Sequence, residues 1–384
     1  MLDTSPEGPD NSEHSFTEII SMHLAEPTST RQRLSSLAQP LSDRAAWDRL
    51  LQRIDPTWSL TEIRARIVRR LEESDDTFSL HLLANRHWPS HRAGQHVRLQ
   101  VEIDGVLRQR VFSISSAPSK DSRDRRQLRL TIQRQPGQGV TEWLYQHAGV
   151  GQVVTLSPPG GDFTLPDPVP SKLLMIAGGS GITPIMAMLN DLAGRGHSED
   201  IYLLQLCRIP SQRLFAAELD TLGAQLPGLA VDVHFSQPGG RINLESLTER
   251  VPDLDSRHTL LCGPAGLMDQ ATAFWQTRPM CKALQTERFA APRPKSSGTD
   301  QLAISAENSK QVFTQMNGQT LLESAEAAGL SPDYGCRAGI CRTCLCRKTH
   351  GTVRNLITGL SSSQADEWIQ LCVSVAESDL ELDL

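Results

Sequence analysis

Several features that define special classes of protein are missing from this sequence. No run approaches the roughly 18 apolar residues of a membrane span, and the acidic, polar first residues do not look like a secretory signal. The net charge of −6 gives no general affinity for nucleic acid. Eight cysteines in 384 residues are too sparse for a disulfide scaffold. We therefore expect a cytoplasmic protein that neither spans a membrane nor binds nucleic acid, and its length predicts two or three domains.

The pattern of apolar residues changes along the chain and predicts a linear order of domains. Residues 1–59 are expected to be an N-terminal extension with one helix. Short alternating strands over 60–168 predict an antiparallel β-barrel. Buried strands alternating with helices over 169–290 predict a parallel α/β sheet. Residues 291–301 have the composition of a linker, and residues 302–384 are expected to form a last, small domain.

The cysteines that are present are concentrated near the end of the chain, which favours metal binding over disulfides. Four of them have the spacing C-x4-C-x2-C-x27-C, namely Cys336, Cys341, Cys344 and Cys372. Two irons need four thiolates, and Gly335 and Gly339 allow the loop to turn tightly and aim N–H groups at sulfides. A zinc site and inert core cysteines are the alternatives. Cys346 should point to the opposite face of the strand that leaves the loop, so we exclude it.

The residues around these cysteines resemble plant-type [2Fe–2S] ferredoxins. The resemblance rests on the run Tyr334-Gly335-Cys336-Arg337-Ala338-Gly339-Ile340-Cys341-Arg342-Thr343-Cys344 and on Leu371-Cys372-Val373. The first three cysteines have the spacing of that family, and the fourth is remote, as the pattern requires. The resemblance implies a β-grasp fold, a cluster held by the four cysteines, and one-electron transfer.

A second motif lies in the predicted barrel. The run Arg110-Val111-Phe112-Ser113-Ile114-Ser115-Ser116 resembles the R-x-[YF]-S-x-x-S segment of the ferredoxin–NADP⁺ reductase superfamily. The resemblance implies that Arg110 binds flavin pyrophosphate, that Phe112 faces the isoalloxazine, and that Ser113 lies near flavin N5; Ser115 belongs to the same segment. It also implies FAD, with FMN used by a few hybrid reductases. A plain barrel strand is the alternative.

The run Gly137-Gln138-Gly139-Val140-Thr141-Glu142-Trp143-Leu144 resembles the G-x-[ST]-x-x-L helix start of the same superfamily. There, backbone N–H groups and a hydroxyl hold a flavin phosphate. The resemblance assigns Gly139, Val140 and Thr141 to flavin binding, with Thr141 replacing the commoner serine. The 15 basic against 9 acidic residues between positions 62 and 134 suit such a ligand.

A glycine-rich run follows the first predicted strand of the α/β region and opens a helix, as a dinucleotide-binding loop requires. This run, Ala177-Gly178-Gly179-Ser180-Gly181-Ile182-Thr183-Pro184, resembles the reductase motif G-G-x-G-[IV]-T-P. A plain strand–turn–helix junction is the alternative. Together with the later Cys262-Gly263-Pro264, the resemblance assigns a set of coenzyme-binding residues: Gly178, Gly179, Gly181, Thr183, Pro184, Cys262, Gly263 and Pro264.

Two further features concern the coenzyme and the chemistry. Arg208 and Arg213 follow a predicted strand whose end carries no acidic residue for ribose hydroxyls. We therefore expect NADPH as the coenzyme. The alternative is that both arginines are solvated surface residues, in which case NADH is possible. Glu287-Arg288-Phe289 resembles the E-x-aromatic ending of the superfamily, although it is internal here. The resemblance implies catalytic roles for Ser113, Cys262, Glu287 and Phe289, with Phe289 covering the flavin.

The three predicted domains, in this order, resemble hybrid reductases that carry their own ferredoxin. The resemblance implies that electrons pass from NAD(P)H to FAD, to [2Fe–2S], and then to a partner protein. Residues 50–60, 93–97 and 101–105 resemble reductases that serve membrane fatty-acyl desaturases, so we expect a desaturase or other di-iron oxygenase as acceptor. A ring-hydroxylating dioxygenase or monooxygenase, and a redox-sensing electron-carrier module, are the alternatives. The linker should leave the ferredoxin domain mobile.

Overall fold

The computed structural model describes most of the chain after residue 43. The described residues are 44–119, 121, 124–137, 139–197, 200–278, 284–289, 302–316, 318–340 and 342–384. Residues 1–43 of the predicted N-terminal extension, the linker over 291–301 and the cysteine at 341 lie outside them. The chain divides into two compact units, Met1–Asp55 and Pro56–Leu384.

The first unit is described through one helix, α1 (Arg44–Ile54). Its apolar residues recur at helical spacing, and it ends just before Asp55-Pro56, because a residue that precedes proline disfavours the helical conformation. Among the helices that the structure describes, none is long and apolar enough to cross a membrane.

The second unit begins with an antiparallel barrel. Its six strands have the order β4-β3-β6-β1-β2-β5, and a bridge between Ile114 and Leu130 joins the two ends of the sheet. Alternate residues point into one apolar core, as the period of two in the sequence predicts. The elements are β1 (Ile63–Ser74), β2 (Thr77–Ala84), β3 (His96–Ile103), β4 (Val106–Ser113), β5 (Gln127–Gln133), α2 (Val140–His147) and β6 (Val153–Leu156).

A five-stranded parallel sheet follows, in the order β11-β10-β7-β8-β9. Its strands are continuous apolar runs because helices cover both faces. The elements are β7 (Lys172–Gly178), α3 (Ile182–Gly194), β8 (Asp200–Cys207), α4 (Ala216–Gln225), β9 (Leu229–Phe235), β10 (His258–Gly263), α5 (Ala265–Gln276) and β11 (Leu284–Arg288), with short helices at Ser236–Gly239 and Leu247–Arg250.

The last part is a small mixed sheet with one helix packed over it. The order β13-β12-β19-β14-β17 and a three-stranded sheet β16-β15-β18 enclose a core beneath α6. Thr320 and Glu323 form a capping box at the start of that helix. The elements are β12 (Ala303–Ala306), β13 (Gln311–Thr314), α6 (Leu321–Ala327), β14 (Leu345–His350), β15 (Val353–Asn355), β16 (Ser361–Ser362), β17 (Glu367–Gln370), β18 (Ser374–Ala376) and β19 (Leu380–Leu382).

The barrel and the parallel sheet meet along a polar and an apolar contact. Arg129 of the barrel donates to both carboxylate oxygens of Glu218 on α4, at 2.7 and 3.1 Å. Gly94 lies where the barrel meets α3, and an added Cβ there would stand 2.1 Å from the Phe163 carbonyl oxygen and 2.5 Å from Met188. Only glycine allows this close approach. The boundaries that we predict at residues 59, 168, 290 and 301 stay predictions.

Candidate active site

The glycine-rich run forms the turn between β7 and α3 at the carboxyl edge of the parallel sheet. Gly181 presses against the end of β10, so an added Cβ would stand 2.2 Å from the Cys262 carbonyl oxygen. Gly178 and Gly263 are similarly close, with 3.2 Å between the Gly178 Cα and a Cβ built on Gly263. The fold therefore brings together the two motifs that the sequence places on separate strands. The Thr183 hydroxyl donates to the Ser180 carbonyl at 2.9 Å and stabilises the turn.

A cavity of about 500 Å³ opens over this edge, and we call it the sheet-edge cavity. From the predicted set, its wall contains Gly178, Gly179, Arg208 and Pro264. His234, Ser236 and Arg241 also line it, from the end of β9 and the segment that follows, and the sequence analysis missed them. The barrel contributes Asp76, Thr77 and Gln133. A basic residue just after the end of β9 was the signal that could have identified Arg241.

Arg208 and Arg213, which we predicted as a pair, occupy different environments. Arg208 is exposed at the sheet-edge cavity. Arg213 is half-buried, lies outside the lining of that cavity, and its Nε is 3.4 Å from Gln205 Oε1. Its role as a coenzyme ligand stays a prediction, and its position gives that role no support.

Three of the four predicted catalytic residues come together where the barrel meets β11. The Ser113 hydroxyl lies 3.4 Å from Glu287 Oε2, and both residues are buried. Cys262 pairs in register with Glu287 on the neighbouring parallel strand. Burial, together with the Glu287 charge, raises the pKa of the Cys262 thiol well above its usual value. Cys262 is therefore a neutral thiol, as expected for a residue that borders a ligand and does not act as a nucleophile.

His96, to which none of the sequence motifs assigns a role, completes this cluster. Its Nδ1 lies 3.4 Å from Glu287 Oε1. A second cavity, of about 930 Å³, opens beside these two residues, and we call it the junction cavity. Its wall comes from three parts of the fold: the barrel residues His96, Arg98 and Ser157–Phe163, the β11 residues Gln285–Arg288, and Ala338, Gly339, Ile340, Arg342 and Ile357 of the last domain.

Phe289, the fourth predicted catalytic residue, packs half-buried against the core of the parallel sheet. It lines neither the sheet-edge cavity nor the junction cavity. Its covering role stays a prediction, and this position gives it no support.

The barrel motif is largely directed inward. Phe112 is 9% exposed and packs in the barrel core. Ser115 is fully buried, and its hydroxyl lies 2.8 Å from Thr131 Oγ1 and 3.1 Å from the Arg129 carbonyl. Burial, and then the nearby charge of Arg337, lower the pKa of Arg110. An anionic ligand would stabilise a half-buried cation that lies near a second cation.

The predicted phosphate-binding helix start also forms. Helix α2 begins after Gly139, which has a φ of 135°, a conformation that favours glycine. Val140 and Thr141 are buried, and Thr141 Oγ1 accepts a hydrogen bond from the Gln135 N–H at 3.2 Å. Glu142 in the same turn is paired with Arg134 at 2.8 Å, which neutralises a charge that would repel phosphate.

The cysteine loop brings thiol groups and backbone N–H groups together in a way that suits a [2Fe–2S] cluster. Cys336 Sγ accepts hydrogen bonds from the N–H groups of Ala338 and Ile340, both at 3.3 Å. A hydrogen bond from Cys372 lowers the pKa of Cys344 to about 7, and the contacts of Cys372 with Cys336 and Cys344 raise its own pKa. Three of the four predicted ligands therefore converge, and the fourth, Cys341, lies outside the described residues.

Two neighbours of the loop support this assignment. Gly339 has a φ of 76°, and an added Cβ would stand 2.5 Å from Ile357 Cδ1, so a larger residue would distort the loop. Cys346 is buried on β14, and burial raises the pKa of its thiol to about 12. The residues present fit the cluster, and Cys346 is a neutral thiol.

The cysteine loop is held against the barrel by polar contacts. Arg98 Nη1 donates to Thr343 Oγ1 at 3.2 Å, and Gln109 Nε2 donates to the Tyr334 carbonyl at 3.2 Å. The Arg337 guanidinium stacks 3.9 Å from the centre of the Tyr334 ring. These contacts join the cysteine loop to the barrel in this structure, and the mobility of the ferredoxin domain stays a prediction.

Two protein families match this chain. Residues 175–273 match the oxidoreductase NAD-binding domain, and residues 304–377 match the 2Fe-2S iron-sulfur cluster binding domain. Among curated proteins, an NADPH oxidoreductase of Mycobacterium tuberculosis (strain H37Rv) is 32% identical over 338 residues, 88% of each chain. A glycine betaine monooxygenase reductase subunit of Pseudomonas aeruginosa is 27% identical, over 85% of this chain and 96% of that protein.

A solved structure shows the same architecture. Phthalate dioxygenase reductase aligns with a TM-score of 0.58 at 24% identity and covers 84% of this chain and 98% of its own. This likeness confirms the predicted fold of a barrel, a parallel sheet and a ferredoxin domain. The chain belongs to the ferredoxin–NADP⁺ reductase superfamily, as a hybrid reductase with a C-terminal [2Fe–2S] ferredoxin domain.

Within that superfamily its activity is defined. The protein is an NAD(P)H-dependent oxidoreductase whose cofactors are FAD and a [2Fe–2S] cluster. Electrons pass from NAD(P)H through the flavin to the cluster. The groups that fit a flavin are the Arg110 guanidinium near Arg337, the start of α2 and the Ser113–Glu287 pair. Of these, Glu287 lines the junction cavity.

Proposed function

We propose that this chain is the NADPH-dependent reductase of an oxygenase system and delivers single electrons to a fatty-acyl desaturase or a related di-iron oxygenase. The junction cavity is the observation that carries the proposal. Its wall contains Glu287 on one side and Ala338, Gly339 and Ile340 of the cysteine loop on another. A group bound there would contact Glu287, near the proposed site of hydride transfer, and also the cysteine loop, which holds the one-electron carrier.

Each part of the chain has a separate task in this proposal. When bound, the flavin accepts two electrons as a hydride and releases them singly, as a [2Fe–2S] cluster requires. The Ser113 hydroxyl and the Glu287 carboxylate provide polar groups at the site of hydride transfer. The neutral Cys262 thiol packs beside Glu287. Backbone N–H groups directed at Cys336 stabilise the negative charge of a bound cluster.

The flavin phosphates are assigned to two groups of the barrel. The Arg110 guanidinium offers a planar, permanently charged fork, and burial next to Arg337 makes an anionic partner favourable. The start of α2 at Gly139, Val140 and Thr141 offers N–H groups at the positive end of a helix dipole.

NADPH is favoured over NADH by the charges at the sheet-edge cavity. Arg208 and Arg241 both line it, with Ser236 between the two in sequence. The carboxylate in that lining is Asp76. Burial raises its pKa, but hydrogen bonds from Gln133, Thr77 and Ser74 outweigh this effect, so the pKa is lowered. A 2′-phosphate would meet two guanidinium groups here. The Mycobacterium tuberculosis relative carries NADPH in its name.

The coenzyme assignment can be tested with matched arginine variants. Arg208→Gln and Arg241→Gln should each lower kcat/KM for NADPH by roughly ten- to hundredfold, because a charge-assisted contact is worth about 1.5–3 kcal/mol. NADH turnover should change little. Arg213→Gln, outside the cavity, is the control and should affect neither coenzyme. NADH preference in the unaltered protein would end the NADPH assignment.

Two candidates for the electron acceptor have support. Residues 50–60, 93–97 and 101–105 favour a membrane desaturase through their resemblance to reductases of that kind. Relatives named as reductase components of glycine betaine monooxygenase and 3-ketosteroid-9-alpha-monooxygenase favour a monooxygenase as acceptor. The ferredoxin segment has 6 basic and 10 acidic residues over 302–384, so a basic docking surface is expected on either acceptor.

Reconstitution distinguishes these acceptors. The purified reductase, NADPH and a membrane fraction containing a fatty-acyl desaturase should form unsaturated product, and the rate should fall with added salt because docking is electrostatic. The same reductase with a monooxygenase component is the comparison. Faster product formation in the second mixture would replace the desaturase with that class of acceptor.

A further inference from the structure

The ferredoxin domain carries an exposed apolar groove where β14 and β17 pair. Trp368 on β17 is 68% exposed, Leu345 on β14 is 41% exposed, and Leu360, which precedes β16, is 72% exposed. All three line one cavity of about 500 Å³, which we call the ferredoxin groove. Its polar lining residues are Arg342, Asn355, Ser362, Glu367, Gln370 and Ser374. Exposed apolar side chains grouped together with polar residues are typical of a protein-binding site.

The strand register places two of these apolar side chains on one face of the sheet. Trp368 pairs with Arg347, and Leu345 lies two residues before Arg347 on β14. Because alternate residues of a strand point to the same face, Trp368 and Leu345 are diagonal neighbours on the outer face. Cys346, between Leu345 and Arg347, is buried in the core. The groove is therefore a feature of two paired strands.

The groove adjoins two of the predicted cluster ligands. Leu345 directly follows Cys344, and Gln370 lies two residues before Cys372. Leu345 and Gln370 pair in register. The Gln370 side chain also donates to the Gly339 carbonyl at 2.8 Å, which joins the wall of the groove to the cysteine loop. A protein bound in the groove would therefore contact residues next to the ligands of the cluster.

The barrel contacts the cysteine loop at other residues. Arg98 donates to Thr343, and Gln109 donates to the Tyr334 carbonyl. The lining of the ferredoxin groove comes entirely from residues 342–374, so the barrel leaves it open. Electrons reach the cluster from the flavin. They must leave through a surface that another protein can approach, and the groove is such a surface.

We propose that the ferredoxin groove is the docking site of the oxygenase protein that accepts the electrons, and that this protein places an apolar side chain against Trp368, Leu345 and Leu360. The proposal rests on the proposed function and adds the place where the acceptor binds. Exposed tryptophan is the kind of residue that supplies much of the binding energy at the centre of an interface.

The charges of the domain and of the groove have different tasks in this proposal. The domain has 6 basic and 10 acidic residues over 302–384, so it attracts a basic acceptor from a distance. Within the groove, the charged lining residues are Arg342 and Glu367. Glu367 is paired with the buried Lys348 at 3.1 Å, which neutralises its charge. Once the acceptor is bound, apolar contact should therefore supply most of the affinity.

The test uses three groove variants and one control in the full protein loaded with flavin and cluster. Trp368→Ser and Leu360→Ser remove apolar surface from separate elements, and Trp368→Phe keeps a ring. Val312→Ser is the matched control, since Val312 is 71% exposed on β13, at the other edge of the same sheet. Flavin content, cluster absorption and the unfolding temperature identify any variant that fails to fold.

The main readout is the KM for the acceptor, with a solubilised fatty-acyl desaturase and a monooxygenase component as the two probes. Trp368→Ser and Leu360→Ser should raise the KM for the acceptor that the protein serves by roughly five- to thirtyfold, and Trp368→Phe by less. These ratios should persist at high salt, because salt does not screen apolar contacts. Ferricyanide reduction and the KM for NADPH should stay unchanged, and Val312→Ser should behave as the unaltered protein.

Three results would overturn the proposal. The first is an equal KM for the acceptor in Trp368→Ser, Leu360→Ser and Val312→Ser. The second is a dimer of the unaltered protein that Trp368→Ser separates in sedimentation, since a second copy would then cover the groove. The third is an unaltered protein that reduces ferricyanide but forms product with neither acceptor. That result ends the proposed function and the docking site with it, and it is distinct because it needs no variant.

Discussion

The two cavities differ in how the chain builds them. The sheet-edge cavity is formed mainly by turns at the carboxyl ends of β7, β8, β9 and β10, where glycines allow a ligand to approach the backbone and arginines supply positive charge. The junction cavity takes its wall from the barrel, from β11 and from the cysteine loop, and it contains the His96–Glu287 pair. The first is suited to bind a phosphorylated coenzyme, and the second to pass electrons between parts of the fold.

This difference predicts that a substitution in the cysteine loop leaves coenzyme binding and flavin reduction unchanged. Cys344→Ser should remove the [2Fe–2S] absorption and reduce cytochrome c reduction to background, because three thiolates do not replace four. Reduction of ferricyanide by the flavin should continue with an unchanged KM for NADPH. Cys346→Ser, two residues further along the chain in β14, is the control and should keep the cluster. Equal loss of both activities in a flavin-loaded Cys344→Ser protein would contradict the separation.

A substitution in the glycine-rich turn after β7 should act by disturbing its packing against the end of β10. Gly181→Ala would force a methyl group to within 2.2 Å of the Cys262 carbonyl oxygen, so the two turns must move apart. We expect a destabilisation of about 1–3 kcal/mol and a weaker affinity for NADPH, measured by denaturant unfolding and by coenzyme titration.

Gly194→Ala on α3 is the matched control, since an added Cβ there meets nothing within 4 Å. It should leave stability equal or slightly higher, because alanine lowers the entropy of the unfolded chain. A Gly181→Ala protein as stable as this control, with normal coenzyme affinity, would show that the close contact is not required.

These contrasts also show what the sequence could predict. The cysteine spacing and the glycine-rich run were recognisable because their geometry depends on residues close together in the chain. The direction of a side chain in a strand depends on the whole barrel. Phe112 packs with the barrel core, and its contact with the flavin stays a prediction. Arg241 and His96 went unnoticed for the same reason, because only the folded chain places them at the cavity walls.

The smallest predicted effect lies away from both cavities. Hydrogen bonds from Arg257 and Lys172 lower the pKa of Asp253 to about 2 from an ordinary value of 3.8. Its contribution to stability is therefore present above about pH 4 and is lost as the pH falls toward 2. Since the carboxylate is about one-third exposed, Asp253→Asn should cost less than about 1 kcal/mol at pH 7.

Denaturant unfolding at pH 7 and at low pH checks this prediction. Asp220→Asn, on the exposed side of α4, is the comparison and should have a smaller effect. A cost for Asp253→Asn that persists unchanged at low pH would mean that the amide itself, and not the lost charge, disturbs the sheet.

The central claim is that the two cavities are consecutive stages of one path. Anaerobic stopped-flow mixing of the protein with one equivalent of NADPH tests it most directly, with flavin and cluster absorption followed separately. We predict that flavin absorption falls first and cluster absorption follows at a slower rate, and that the first phase is unchanged in Cys344→Ser. Reduction of the cluster before the flavin, or in protein from which the flavin has been removed, would contradict the account.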